Sequence, residues 1–245
     1  MTGASVRYPE LDAFRGAAVI MMVIFHFFID LSFLGIDGSD PYSGVLKWFG
    51  IVTASLFLII AGISAHITYE KTNSSLRQIQ GFIKRGTKLI LIGFVITLVT
   101  WWFLQGEGYV VFGILHLIGF GIILTPILHR FGMYALLIAG GLLIISSIGS
   151  IPYGPLWLAW AGIHPEIFSS IDYTPIIPWL SMFITGLCIG QILYPKGRQQ
   201  FQITGSILRL LPPFVYTGRH SLFIYLIHQP VMIVVLSIIT GKSLI

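Results

Sequence analysis

Charge is scarce in this chain of 245 residues, because only 9% of its positions are Asp, Glu, Lys or Arg. Ordinary globular domains have roughly a quarter. Hydrophobic residues fill 56% of the chain. This composition excludes a water-soluble domain and indicates an integral membrane protein. Cysteine is nearly absent as well, and the single Cys188 cannot form an internal disulfide.

Several catalytic motifs are also missing. The sequence contains no P-loop, no glycine fingerprint for dinucleotides, no zinc-ligand spacing and no nucleophile elbow. We therefore expect no metal. No polar connection is long enough for a separate soluble domain, so residues 1–245 are predicted to form a single transmembrane domain.

Long apolar runs dominate what is present. A run of about 20 residues is needed to cross ~30 Å of hydrocarbon. Seven such runs occur, at residues 17–34, 45–68, 89–104, 110–128, 134–150, 176–193 and 222–239. A shorter segment at 155–168 is punctuated by Gly and Pro, and it is predicted to be re-entrant or interfacial. The predicted fold class is an all-α, polytopic bundle of about seven transmembrane helices.

Basic residues are distributed unevenly around these spans. With the N-terminus inside, only Lys47 and Lys242 of the 14 basic residues fall on the outer face, whereas Arg7 and Arg209 are among those on the inner face. Cytoplasmic loops carry the excess of Lys and Arg, so we predict an N-in, C-out topology. The basic surplus is a topology signal, and no segment supports a nucleic-acid partner; the expected surroundings are membrane lipid.

Four polar residues share one stripe of the first predicted helix: Asp12, Arg15, His26 and Asp30. Eleven helical steps separate Arg15 from His26 and return to the same face about 16 Å further along. Charges at membrane depth cost roughly 2.5–3.5 kcal/mol each, so they normally face a protein interior or a wet cavity. The stripe predicts a site in which His26 is the catalytic candidate and Asp30 orients it. A structural hydrogen bond is the alternative role for His26.

The last span repeats this pattern in "TGRHSLFIYLIHQPV". Tyr225 and His228 follow helical spacing along one face, and Arg219 lies at the predicted cytoplasmic end. His228 is a second candidate for substrate or cofactor contact, and packing is its alternative role.

Four further residues complete the candidate set. His116, between glycines in "FGILHLIGFG", is expected to line the same cavity. Asp172, in "SIDYTPIIPWL", is either part of an aromatic membrane anchor or an acceptor contact. Lys84 and Arg85 are explained either by the positive-inside rule or by phosphate binding.

Two other histidines receive no role in the site. His66 is expected near the membrane interface, and His129 in a solvated loop beside Arg130. Gly186 and Gly190 form a small-xxx-small pair that permits close helix packing, within the chain or in a homodimer.

Several motifs of this sequence resemble those of known families. "LDAFRGAAVIMMVIFHFF" resembles the opening of transmembrane acyltransferases, and its Arg-x10-His spacing is similar to that of the acyltransferase type 3 family. Four later pieces follow in the same order as in prokaryotic members of the heparan-α-glucosaminide N-acetyltransferase catalytic-domain family. They are "LFLIIAGISA", "FGILHLIG", "DYTPIIPWLSMFITGLCIG" and "GRHSLFIYLIHQPV". The likeness covers nearly the whole chain.

The resemblance implies an enzyme of a prokaryotic cell membrane that moves acetyl from cytosolic acetyl-CoA to an amino-sugar-type or related amine or hydroxyl acceptor. Arg15 then contacts the cofactor side, with Arg219, Lys84 and Arg85 as further phosphate contacts. His26 acts as general base or acetyl relay. The lysosomal enzyme of this family differs from the chain in one place, because its active histidine lies between the first two spans. The corresponding segment of this chain, "DGSDPYSGVLKWFG", has no histidine. Direct transfer is therefore the expected route.

Two other function classes fit the intramembrane polar groups. Paired histidines on neighbouring helices can ligate haem iron, which would make the chain an electron carrier. Ionisable groups also mark transport paths, although the sequence shows none of the repeated halves that many transporters have.

Overall fold

The structure is a computed structural model that describes residues 8–36, 40–72, 75–148, 152–201 and 211–241. Eight α-helices occur in these ranges: α1 (Pro9–Phe33), α2 (Gly44–Glu70), α3 (Ser75–Phe103), α4 (Ile114–Leu128), α5 (Ala135–Ile148), α6 (Ile176–Leu193), α7 (Pro212–Arg219) and α8 (Ser221–Thr240). The described residues form no β-strand, only an isolated bridge between Phe112 and Tyr173. The all-α prediction is confirmed.

Within the described ranges, six helical segments are long and apolar enough to cross a membrane. The difference from the seven predicted spans lies in one place, because the predicted spans 110–128 and 134–150 fall in one helical run, Ile114–Ile148, of 35 residues. This run is interrupted at a 3₁₀ helix, His129–Tyr134, where Gly132 leaves helical geometry with φ 53 and ψ −135. The break separates α4 from α5.

Two helices, α1 and α3, begin well before the apolar runs that predict them. α1 starts at Pro9, with Glu10 and Asp12 in its first turn, where acidic groups suit the helix dipole. α3 starts at Ser75 and so includes the basic stretch around Lys84, since Lys and Arg are good helix formers outside hydrocarbon. As a result, Asp12, Arg15 and His26 do belong to one helix.

Contacts divide the chain into two compact units. Residues 1–57 and 202–245 form the first, in which α1 packs along α7 and α8. A Cβ on Gly16 would overlap the backbone oxygen of Phe214, and one on Gly218 would overlap that of Asp12. The glycines of "FRG" and "TGR" thus allow the backbones of α1 and α7 to touch.

α1 and α8 run in the same direction. α8 starts just after Arg219, which lies beside Asp12 near the start of α1, and Gln229 of α8 contacts Asp30 near the end of α1. Parallel first and last spans require an odd number of crossings, which favours counting α4 and α5 separately. The N-in, C-out orientation stays a prediction; Arg7, Arg209 and Lys242, used for it, lie outside the described residues.

Residues 58–201 form the second unit. Within it α3 packs on α4 and α5 packs on α6. The second half of α2 meets α6 through small residues: a Cβ on Gly186 would overlap the backbone oxygen of Ile59, and one on Gly190 would crowd His66. The close packing predicted for these two glycines therefore occurs inside the chain. The homodimer stays a prediction, but these two glycines do not support it.

The segment 155–168 contains a short 3₁₀ helix, Leu156–Ala161, and no helix long enough to span. The Tyr173 hydroxyl donates to the Ala159 carbonyl at 2.9 Å and so ties this segment down. Burial raises the pKa of Tyr173 to about 12, which keeps the hydroxyl protonated as a donor.

Candidate active site

The first unit holds an ionic cluster near the start of α1. Asp12 Oδ1 accepts from Arg15 Nη1 at 2.9 Å, and Asp12 Oδ2 lies 3.7 Å from Arg219 Nε. The contact of Gly16 and Gly218 with the facing backbones brings these side chains together. Asp12 thus contacts two guanidinium groups, and the Arg219 side chain is 47% exposed. Two neighbouring guanidinium groups, one of them half exposed, suit a phosphate-bearing ligand.

Two histidines meet on the facing sides of α1 and α8. The rings of His26 and His228 lie edge to face with their centroids 4.9 Å apart. His26 Nδ1 is 2.9 Å from the Met22 carbonyl, and His228 Nδ1 is 2.7 Å from the Tyr225 carbonyl. A carbonyl can only accept, so we assign the proton of each neutral ring to Nδ1. Each Nε2 then keeps a lone pair, which is the requirement for a general base.

One of these two nitrogens is buried without a partner among the described residues. His228 is buried, and its Nε2 finds no hydrogen-bond partner in the described part of the chain. A buried polar atom without a partner is costly and calls for an explanation. A substrate group that donates to this nitrogen supplies one.

Asp30 lies one turn beyond His26, yet it is held by the other helix. Its Oδ1 accepts from Gln229 Nε2 at 3.2 Å, and its Oδ2 has no hydrogen-bond partner among the described residues. His26 is oriented by Met22 instead. The expectation that Asp30 orients His26 through a hydrogen bond is not met in this structure, and its catalytic role stays a prediction.

Tyr225 lies beside His228, with ring centroids 5.8 Å apart. The predicted polar face of the last span is therefore present, and it faces α1. Gln229, for which the sequence predicted no role, belongs to the same face. A signal was available, since Gln229 is the polar residue that directly follows His228.

In the second unit, His116 and Asp172 meet at the start of α4. Asp172 Oδ2 accepts from the Ile114 amide at 3.1 Å, and His116 Nδ1 accepts from the Gly113 amide at 3.2 Å. Both side chains therefore cap the helix. His116 Nε2 is buried and finds no hydrogen-bond partner within the described ranges. Their predicted contacts with a substrate stay predictions.

Lys84 and Arg85 are exposed on α3. Arg85 Nε donates to the Gly81 carbonyl at 3.0 Å, and its guanidinium carbon lies 5.0 Å from the centre of the Phe82 ring. Lys84 lines a shallow open groove with Lys88 and apolar residues. The structure leaves both explanations open for these residues, and their phosphate contact stays a prediction.

The expectation for His129 was wrong, whereas the interfacial position of His66 stays a prediction. His66 is buried, with 1% of its surface exposed, and it meets His129, which in turn meets Glu70. The His129 side chain is only 16% exposed, so it is not a solvated loop residue. The i, i+4 pair in "HITYE" was a readable signal, whereas His129 is 63 residues away along the chain.

The geometry of the first unit does not suit haem. Two axial imidazoles must leave room for a flat macrocycle between them, whereas the rings of His26 and His228 are in direct contact. What the arrangement can do is bind an anion at one end of α1 and accept a proton at the other. Those two abilities fit group transfer from a phosphate-bearing donor.

Comparison with known proteins supports this chemistry. The family model described as "Heparan-alpha-glucosaminide N-acetyltransferase, catalytic" matches residues 7–230. Neither the curated proteins nor the solved structures gave a match. The matched range contains every candidate residue of α1, α4, α7 and α8.

Proposed function

This chain belongs to the heparan-α-glucosaminide N-acetyltransferase catalytic-domain family of membrane acetyltransferases, and we propose that it moves an acetyl group from cytosolic acetyl-CoA to an acceptor at or beyond the far side of the membrane. The acceptor is an amino-sugar-type compound or a related amine or alcohol. The enzyme resides in a prokaryotic cell membrane as a single domain.

The observation that carries this proposal is the contact of His26 Nδ1 with the Met22 carbonyl. Its Nδ1 is occupied by the Met22 carbonyl, so Nε2 is available to accept a proton. The ring is held on a second side by His228. A base fixed in this way needs no reorientation before it acts.

The donor end is the cluster around Asp12. Arg15 and Arg219 hold the phosphates of acetyl-CoA, and Asp12 keeps the two guanidinium groups together. Acetyl-CoA supplies the activated thioester, whose acetyl group is transferred. The helical rise places His26 about 16 Å along α1 from Arg15, which leaves room for an extended arm between the phosphates and the thioester.

His26 moves one proton in this scheme. Nε2 takes it from the acceptor nitrogen or oxygen as that atom bonds to the acetyl carbon, and returns it to the departing sulfur. The buried Nε2 of His228 accepts a hydrogen bond from the acceptor and orients it. No histidine occurs between the first two predicted spans, so we favour direct transfer over an acetyl-histidine intermediate.

Calorimetry with acetyl-CoA tests the donor half in detergent-purified protein. Arg15→Ala should weaken binding about tenfold or more, since a hydrogen bond to a charged group is worth roughly 1.5–3 kcal/mol. Arg77→Ala is the matched control, because Arg77 is an exposed arginine of α3 outside the cluster. Absence of saturable binding in folded wild-type protein would overturn the proposal and favour a transporter.

A further inference from the structure

The sequence predicts no metal, yet the second unit contains a cluster of three metal-ligating side chains that the acetyl transfer does not use. His66 Nδ1 lies 3.2 Å from His129 Nε2, and the same His129 nitrogen lies 3.2 Å from Glu70 Oε1. One ligand atom from each residue lies within 4.8 Å of the others. Two imidazoles and a carboxylate are a ligand set found at zinc sites with an open position.

The two contacts of His129 Nε2, with His66 and with Glu70, have the spacing of ligands on a tetrahedral ion. Zinc binds histidine nitrogen and carboxylate oxygen at about 2.0–2.2 Å, so two ligands at a tetrahedral angle lie roughly 3.3 Å apart. The two distances of 3.2 Å agree with that value. A hydrogen bond between two ring nitrogens has a similar length, so the distances do not decide between the two on their own.

The outer contact of His66 leaves its Nδ1 with the lone pair that a metal ligand requires. His66 Nε2 lies 3.1 Å from the Tyr194 carbonyl, so we assign the proton to Nε2 and the lone pair to Nδ1. Nδ1 is the atom that faces His129 and Glu70. Histidines that bind metals usually donate their other ring N–H to a carbonyl or carboxylate, which fixes the tautomer.

The ligands are held in place before any ion arrives. Tyr69 stacks on His129 with centroids 4.0 Å apart and an interplanar angle of 24°, and Gly190 packs against His66. His66 is buried, whereas the side chains of His129 and Glu70 keep 16% and 25% of their surface exposed. The cluster is therefore ordered on one side and open to an ion on the other.

We propose that His66, Glu70 and His129 bind one divalent transition-metal ion of the zinc type, with a fourth position open to water. The ligands lie at the C-terminal ends of α2 and α4, and the Tyr194 carbonyl adds the end of α6. The ion ties these helix ends together. Under the predicted topology, they face the cytoplasm.

Cobalt substitution tests this site in the full chain. The protein is purified in detergent through a tag without histidine, stripped with a chelator and titrated with Co²⁺, whose visible bands report tetrahedral geometry. We expect saturation at one ion per chain and loss of the bands when Zn²⁺ is added. The melting temperature should rise with Zn²⁺, because an ion that binds only the folded state stabilises it.

Three variants assign the ligands: His66→Ala, Glu70→Gln and His129→Ala. Each should weaken Co²⁺ binding by at least the roughly 10–100-fold that loss of an outer partner costs at metal sites. Glu70→Gln and His129→Ala keep the test decisive if the buried His66 is needed for folding. His220→Ala and Glu107→Gln are matched controls at exposed positions and should bind as the wild type does.

Three results would overturn the proposal. The first is no saturable binding in folded wild-type protein, which would make the cluster a hydrogen-bond network. The second is the weak spectrum of octahedral Co²⁺. The third is equal binding by Glu70→Gln, His129→Ala and the two controls. None of these readouts depends on acetyl transfer, so the site and the proposed function fail separately.

Discussion

The His26–His228 pair and the His66–His129 pair use the same side chain in two different ways. The first pair meets edge to face at 4.9 Å, and both Nδ1 atoms point to backbone carbonyls of their own helices. The second pair is stacked, with an interplanar angle of 11°, and its nitrogens approach each other beside Glu70.

The partner of each ring explains the difference. In the first pair, the Met22 and Tyr225 carbonyls fix the proton on Nδ1 and leave Nε2 as a base, which suits proton transfer. In the second pair, the Glu70 carboxylate lies beside His129, and ligand atoms from three residues converge, which suits a cation. For these two pairs, the groups that the ring nitrogens contact distinguish the proposed roles better than the burial of the rings does.

The largest expected effect is that of His26→Ala on acetyl transfer. Loss of a general base typically costs 10²–10⁴-fold in rate, and we expect a loss in that range with radiolabelled acetyl-CoA and an amine acceptor. The cobalt bands of the other histidine pair should not change, which separates the two roles.

His220→Ala is the matched control for this variant. His220 Nδ1 makes the same contact to the carbonyl four residues earlier, that of Tyr216, but the side chain is exposed. It should transfer acetyl close to the wild-type rate. A fully active His26→Ala protein would remove His26 from the mechanism.

The next effect concerns the glycines that bring α1 and α7 together. Gly218→Ala would place a methyl group on the Asp12 backbone oxygen, and overpacking of this kind costs roughly 1–3 kcal/mol. We expect a lower melting temperature and weaker acetyl-CoA binding, because Arg219 moves with the backbone. Gly140→Ala is the control, since a Cβ there has nothing within 4 Å. Equal stability of the two variants would contradict the packing argument.

Much of the first unit could be predicted from the sequence. Residues that share one helix face are fixed by the helical repeat, so Asp12, Arg15 and His26 follow from their spacing once the helix is assigned. The positions of the spans could also be predicted, because a span needs a long apolar run. The boundaries were less predictable, because charged residues extend α1 and α3 beyond the hydrocarbon without changing the apolar pattern.

Contacts between distant segments could not be predicted in this way. The approach of His129 to His66 joins the end of α2 to the end of α4, and no local spacing encodes it. The partner of Asp30 was missed for a similar reason: two helices determine it, and a single-helix argument favoured His26. Gln229 competes for the same carboxylate from α8.

A smaller effect is expected for Asp30→Asn. The variant keeps an acceptor for Gln229, so it should cost no more than about tenfold in transfer rate, the equivalent of a hydrogen bond of roughly 0.5–1.5 kcal/mol. Asp30→Leu removes the acceptor and should cost more, with a lower melting temperature. If Asp30→Asn instead loses as much activity as His26→Ala, the carboxylate acts directly on the histidine and our assignment of its role is wrong.

The smallest expected effect concerns Tyr173, which lies outside the spanning helices. It tests whether the hydroxyl proton that Tyr173 donates to a backbone carbonyl stabilises the fold. Tyr173 donates to the Ala159 carbonyl, and burial raises its pKa to about 12 from an ordinary value of 10.0. The folded state therefore keeps this proton where the unfolded state loses it. The stabilisation is fully present below pH 10 and is lost as the pH rises towards 12. Thermal unfolding of wild type and Tyr173→Phe should show a wild-type advantage at pH 9 that shrinks over this window. A constant difference between the two proteins from pH 9 to 12 would show that the hydroxyl proton contributes nothing, and that packing of the ring alone holds the segment.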